Sequence, residues 1–176
     1  MKLEGIHHIT AITGDAPGNV EFYAGVLGLR LVKKSVNQDD PTVYHLFYGD
    51  EDGSPGADLT FFEYPGVSPG SAGAGMVHRI VWRVGSAQAL DFWAERLEAQ
   101  GAHAAREDAR LVFSDAEGLA HELRVVQTGE EPLTARSPEI PAEHALQGFD
   151  GALAYSAAPG YSKNVMSEPG LPFSSA

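Results

Sequence analysis

Two histidines stand side by side in GIHHITAITGD, residues 5–15, where the residue pattern begins to alternate as in a β-strand. Imidazole can hold a divalent metal, move a proton or pack as a half-polar core group. Neighbours in a strand cannot share one task, because successive side chains point to opposite faces. Ile9 and Ala11 share a face with His7, while Ile6, Thr10 and Ile12 share one with His8. The alternation places His7 on the covered face as a packing residue and turns His8 toward the open one. A further histidine, His45, sits in the strand-like VYHLFYGD, where lining a pocket with Tyr44 or Phe47 competes with simple packing. Among the carboxylates, Glu122 in GLAHELRVV falls opposite Leu123 and Val125, on the same face as Arg124. Arg79, Arg83 and Arg124 are expected around it, so an ion-paired structural carboxylate competes with a functional one. Asp58 and Glu63 have opposite parity, so at most one joins the open face. The sequence contains no cysteine, which removes disulfides, thiolate metal sites and thiol nucleophiles together. Imidazole and carboxylate donors alone suit Fe, Mn, Zn or Ni.

These side chains need elements to position them. GIHHITAIT reads as a strand and DAPGNVEFYAGVLG as the helix after it, with Asp15 as N-cap, Pro17 in the first turn and Gly28 at the end. Val20, Phe22, Tyr23, Val26 and Leu27 form its apolar stripe. LRLVKKSV, TVYHLFYG and ADLTFFEY follow as strands, with the breaker-rich DEDGSPG between the last two. After the linker-like GVSPGSAGAG the pattern restarts: MVHRIVWRV as a strand, SAQALDFWAERLEAQG as a helix, then AHAARED, ARLVFSDAEG and LAHELRVVQ.

The restart is an internal repeat. HHITAIT (7–13) lies over HRIVWRV (78–84), and VEFYAGVLG over LDFWAERLE. The fold class expected is α+β, with tandem βαβββ modules forming a curved mixed sheet. The modules are expected at 1–66 and 75–128, joined by a linker at 67–74. The remainder, 129–176, holds one more strand near 148–156 with no helix after it, and an irregular tail.

The 176 residues carry a formal net charge of −12. Such acidity and the lack of a basic stripe argue against a nucleic-acid partner. No apolar run approaches a membrane span and MKLEGIHH is not a signal peptide, so a cytoplasmic protein is expected.

The run from HHIT through FYAGVLGLRLVKK, PTVYHLFYGD and GSPGADLTFF resembles the hydroquinone-type ring-cleaving dioxygenases, and VHRIVWRVGSAQALDFWAERL resembles their second module. These enzymes belong to the vicinal-oxygen-chelate superfamily, with glyoxalase I, bleomycin-resistance proteins and extradiol dioxygenases. The resemblance, over about residues 3–155, implies an iron-like divalent metal held by two His and one Glu. It assigns His8 as the first ligand and Glu122, through its G-x-x-x-E setting, as a candidate carboxylate. Fe(II) is the implied metal, with Mn, Zn or Ni as alternatives, and a small aromatic diol the implied substrate, met by Thr10, Tyr44 and His45. Members normally carry four modules, with the remaining ligands on the fourth. This chain is therefore expected to bind metal weakly, and to form a homodimer in which modules of different chains complete one another. The alternatives are a metal-free binding protein of the bleomycin-resistance type and a glyoxalase-like isomerase or lyase.

Overall fold

The computed structural model describes residues 5–167, with side chains described up to residue 163. Strand β1 (His8–Thr13) leads through the Asp15 cap into α1 (Ala16–Val20), where the Asp15 side chain accepts from Gly18 N. The helix continues as a π-helical stretch over Glu21–Val26 and stops at Gly28, whose φ of 69° is left-handed. Strands β2 (Arg30–Val36), β3 (Tyr44–Gly49) and β4 (Asp58–Glu63) follow. They form a four-stranded sheet in the order β1-β4-β3-β2, with β1 parallel to β4 and the other pairs antiparallel.

The second unit repeats this plan with β5 (Val77–Val84), α2 (Ala87–Ala99), β6 (Ala105–Glu107), β7 (Arg110–Ser114) and β8 (Ala120–Val125). A last strand, β9 (Phe149–Ala154), joins the same sheet, whose order is β6-β7-β8-β5-β9. Here β5 is parallel to β8 and antiparallel to β9. The expected α+β class with two mixed sheets is what the chain forms. One expectation is corrected: a helix does follow the last strand, α3 (Pro159–Ser167). It opens on the Ala-Pro-Gly triplet of residues 158–160, as α1 does on that of 16–18, and proline at a first helical turn needs no N–H partner. The expected tail 168–176 lies outside the described residues.

The two sheets share one core. Tyr23, from the π-helical stretch, packs on Phe61 and Tyr48 of the first sheet, with ring centroids 4.7 and 5.4 Å away, and on His121 of the second at 5.7 Å. Leu46, Leu59 and Leu27 continue that core on one side, and Ile80, Trp82, Leu90, Trp93 and Leu123 on the other. The helices thus lie between the sheets. Each sheet turns its other face away from the common core, so the two open faces do not enclose one cavity.

Candidate functional site

The open face of the first sheet is set by parity. Ile9, Ala11, Leu59, Phe61, Leu46 and Tyr48 pack inward, leaving His8, Thr10 and Ile12 of β1 outside. Register puts Asp58 beside His8, Thr60 beside Thr10 and Phe62 beside Ile12, and then His45 beside Phe62 and Phe47 beside Thr60. Thr60 donates its hydroxyl proton to Thr10 Oγ1 at 3.0 Å. The His45 ring lies between Phe62 and Phe47, each centroid 3.9 Å away, and its Nε2 is buried with no hydrogen-bond partner among the described residues. Burial lowers the His45 pKa, Asp58 opposes that shift, and Lys33 and His8 add to it. Burial raises the Asp58 pKa, against the pull of His8, His7 and His45.

His7 departs from its expected place. It is exposed, and its Nδ1 lies 3.2 Å from His8 Nδ1, with the rings edge to face at 5.2 Å. The strand begins at His8, so the alternation that would bury His7 does not yet apply; its carbonyl is held instead by Gly56 N at 2.8 Å. Tyr44 also lies off the open face. It shares parity with Leu46 and Tyr48, and the Lys34 ammonium sits 3.9 Å from its ring centroid. Of the two aromatic partners considered for His45, Phe47 is the one on its face. Glu63 turns to the helix and accepts from Ala16 N at 2.8 Å.

Glu122 stands on the open face of the other sheet, and its side chain is 1% exposed. One oxygen accepts from Arg124 at 2.6 and 3.1 Å, and the other from Arg79 at 3.1 Å with Arg110 at 3.7 Å. Arg79 fills the place in the repeat that His8 holds in the first unit, and meets the carboxylate as a charge-assisted partner. Arg83 goes elsewhere, to Glu130 at 3.0 Å and the Gln147 carbonyl at 3.2 Å. The structure therefore does not bring Glu122 to His8. Among the described residues no group of three or more His, Asp or Glu side chains is gathered as a metal site. The first open face presents the exposed His8 imidazole beside His7 and Asp58, which among the described residues is not a complete metal donor set.

Three further histidines, His103, His121 and His144, lie outside both open faces. His103 lines a groove of about 560 Å³ with Phe22, Phe113 and Asp115. His144 stacks on Phe92 at 4.9 Å while its carbonyl accepts from Trp93 Nε1. His121 is wholly buried between the units. Its parity with Leu123 was the available signal, since a histidine on a core face must find polar partners.

A strand–helix–three-strand unit used twice, with a histidine opening the first open face, defines a class also visible in comparison with known proteins. The family model of the glyoxalase/bleomycin resistance protein/dioxygenase superfamily matches residues 5–123, and the chain belongs to that superfamily. It is 46% identical over 159 residues to a Bacillus subtilis (strain 168) protein named as a ring-cleaving dioxygenase, MhqA, covering 85% of this chain and 49% of the relative. The chlorohydroquinone/hydroquinone 1,2-dioxygenase of Sphingobium indicum is 34% identical over 158 residues, covering 84% of this chain and 48% of that protein. The chain thus spans about half the length of these curated relatives. A crystal structure described as a dioxygenase from Bacillus subtilis superposes with a TM-score of 0.89 at 39% identity, covering 95% of this chain and 55% of the other. The fosfomycin resistance protein FosX of Listeria monocytogenes, solved with Mn(II), shares the fold at a TM-score of 0.54 and 18% identity, over 71% of this chain and 94% of that one.

Proposed function

We propose that this chain is the N-terminal part of a divalent-metal ring-cleaving dioxygenase acting on hydroquinone- or catechol-type aromatic diols, working in the cytoplasm as a homodimer. Residues 1–66 and 75–128 are its modules, joined by 67–74. The observation that carries the reading is the placement of His8 on an open, aromatic-lined sheet face in a chain 34–46% identical to proteins named as ring-cleaving dioxygenases. In this reading His8 supplies one ligand to Fe(II), and Thr10, His45 and Phe47 border the diol. The other ligands come from outside the described residues, and Glu122 is the structural carboxylate of the second sheet, held by its arginines. A bound Fe(II) would supply the open positions at which a diol and O₂ meet.

The experiment is metal analysis of the purified protein with and without added Fe(II), beside His8→Ala, followed by oxygen uptake with methyl- and chloro-hydroquinone. The expected result is weak uptake that His8→Ala abolishes. Uptake indifferent to His8→Ala would remove the assignment. Tight binding of a hydroquinone without metal would favour the binding-protein alternative.

A further inference from the structure

We propose that the groove between the two units, walled by Phe22 and Phe113 and lined at its polar end by Asp115, is a second small-molecule site that takes a protonated amine carried on an aromatic body.

The groove encloses about 560 Å³, within the range of small-molecule sites. Phe22 is its wall from the first unit, and Ala102, Val112 and Phe113 are its walls from the second. The centroids of the Phe22 and Phe113 rings are 6.4 Å apart and the rings are tilted by 52°. They therefore make one aromatic surface for a ligand ring to lie along, with no slot between them. Asp115 is the one acid of the lining, His103 the one base, and no Lys or Arg contributes. The groove shares no residue with the His8 face, and it lies at the β6–β7 side of the second sheet, the side away from β9.

Asp115 is the anionic end. Its Oδ1 accepts from Glu117 N at 3.0 Å and Leu119 N at 2.8 Å, and its Oδ2 accepts from the Tyr23 hydroxyl at 2.8 Å. A carboxylate oxygen takes two bonds, so Oδ2 keeps one acceptor position. All three donors are neutral. A carboxylate drawn out of water is ordinarily paired with a cation, yet every ion pair among the described residues uses another carboxylate. Glu117, two residues on, adds charge of the same sign. It reaches across to the first unit and accepts from Thr13 Oγ1 at 2.5 Å and Gly14 N at 2.7 Å, again neutral donors. Two carboxylates thus meet at one junction with no counter-ion of their own, beside an aromatic wall.

The site is also preformed. Tyr23 is fixed from behind by His121 Nε2 at 3.0 Å, and Glu117 pins the Asp115 turn to the first unit, so little has to be ordered on binding. An ammonium group brings three donors. One takes the free position on Oδ2 while the attached ring covers Phe22 and Phe113. A neutral ligand of the same shape buries the same apolar area and leaves the charge unanswered. An anionic one meets two carboxylates.

The test titrates 2-phenylethylamine into the full chain, beside its neutral analogue 2-phenylethanol and the anion phenylacetate, and follows amide and ring resonances. The amine should bind saturably, with shifts gathered at Ala102, His103, Val112 and Phe113, and phenylacetate should not bind there. The alcohol should bind about tenfold more weakly than the amine, the share of a charge-assisted bond. Asp115→Asn keeps an oxygen for the turn, and should weaken the amine about tenfold while leaving the alcohol where it was. If Asp115→Asn fails to fold, the amine-to-alcohol ratio and the shift map of the parent chain decide. No saturable binding, equal affinity for amine and alcohol, or an amine indifferent to Asp115→Asn overturns the proposal. So do shifts centred on the His8 face, or scattered over the acidic surface.

Discussion

The Tyr23 hydroxyl lies 3.0 Å from Nε2 of His121, joining the helix of the first unit to the last strand of the second. Trp82 Nε1 donates to His121 Nδ1 at 3.1 Å, so Nδ1 is the acceptor and Nε2 carries the proton of the neutral ring. Nε2 then donates to the Tyr23 oxygen, and Tyr23 donates to Asp115 Oδ2 at 2.8 Å. Every donor runs in one direction, and a chain satisfied at each step is worth more than its isolated bonds. Removing the middle link in Tyr23→Phe strands the His121 N–H and Asp115 Oδ2, while Asp115 Oδ1 keeps its bonds from Glu117 N and Leu119 N. The expected loss is about 1–3 kcal/mol, read as a lower urea midpoint at unchanged slope.

The same chain sets an acid limit. Burial pushes His121 from 6.5 down to about 3. Its folded pKa is depressed, so unfolding takes up a proton anywhere between those values, and the His121 contribution is full above pH 6.5 and falls as the pH drops toward 3. One proton gives at most about 1.4 kcal/mol per pH unit. Asp115, raised by burial, contributes in the opposite sense just above its unfolded value. The His121 slope begins just below pH 6.5, where His45, lowered by burial as well, adds a share of the same sign. Urea titrations in that range should show stability falling with acidification, and His121→Gln should reduce the slope, leaving the share of His45.

Glu122 allows its two roles to be separated. Arg124→Ala strips one carboxylate oxygen of both its close contacts, at 2.6 and 3.1 Å. A carboxylate left buried with half its partners should cost about 3 kcal/mol. Glu122→Gln leaves Arg124 its contact with Asp150 at 3.0 Å and partly exposed guanidiniums free to hydrate, so about 1 kcal/mol is expected. The same Glu122→Gln protein should take up metal as the parent does. Uptake lost in Glu122→Gln but kept in Arg124→Ala would make Glu122 a ligand.

The fold class was legible because strand alternation and helical stripes recur in the same order in both units, and because Leu123 and Val125 fix which way Glu122 and Arg124 turn. His7 was misread because alternation holds only inside a strand, and Gly56 N takes the His7 carbonyl just before the strand begins. Of the alternatives Tyr44 and Phe47 beside His45, strand alternation already favours Phe47, since immediate neighbours in a strand take opposite faces. The Tyr23–His121–Asp115 chain could not be read at all. It joins residues 92 and 98 positions apart, and the Asp115 turn looks like any other polar turn until the helix packs over it. The helix α3 was missed although its Ala-Pro-Gly opening repeats that of α1.

The joint beneath the histidine pair turns on Gly148. Its φ is 86°, and a Cβ there would lie 2.9 Å from the Gly56 carbonyl oxygen, the atom that accepts from Phe149 N at 2.7 Å. On its other side Gly56 donates its N–H to the His7 carbonyl, so the start of β9, the β3–β4 turn and the base of β1 are joined through one glycine. Gly148→Ala must both hold alanine in a left-handed conformation, about 1–2 kcal/mol, and push back an oxygen that has no free direction. We expect a total near 3 kcal/mol from strain and the weakened Phe149 bond together. Because the displacement runs through Gly56, the His7 and His8 ring resonances should shift in Gly148→Ala, although neither ring touches residue 148. Gly151→Ala, on the same strand with nothing within 4 Å of its Cβ position and no left-handed φ, should leave both the urea midpoint and those resonances where they were. Equal effects from the two substitutions would show that the joint does not hold the histidine pair.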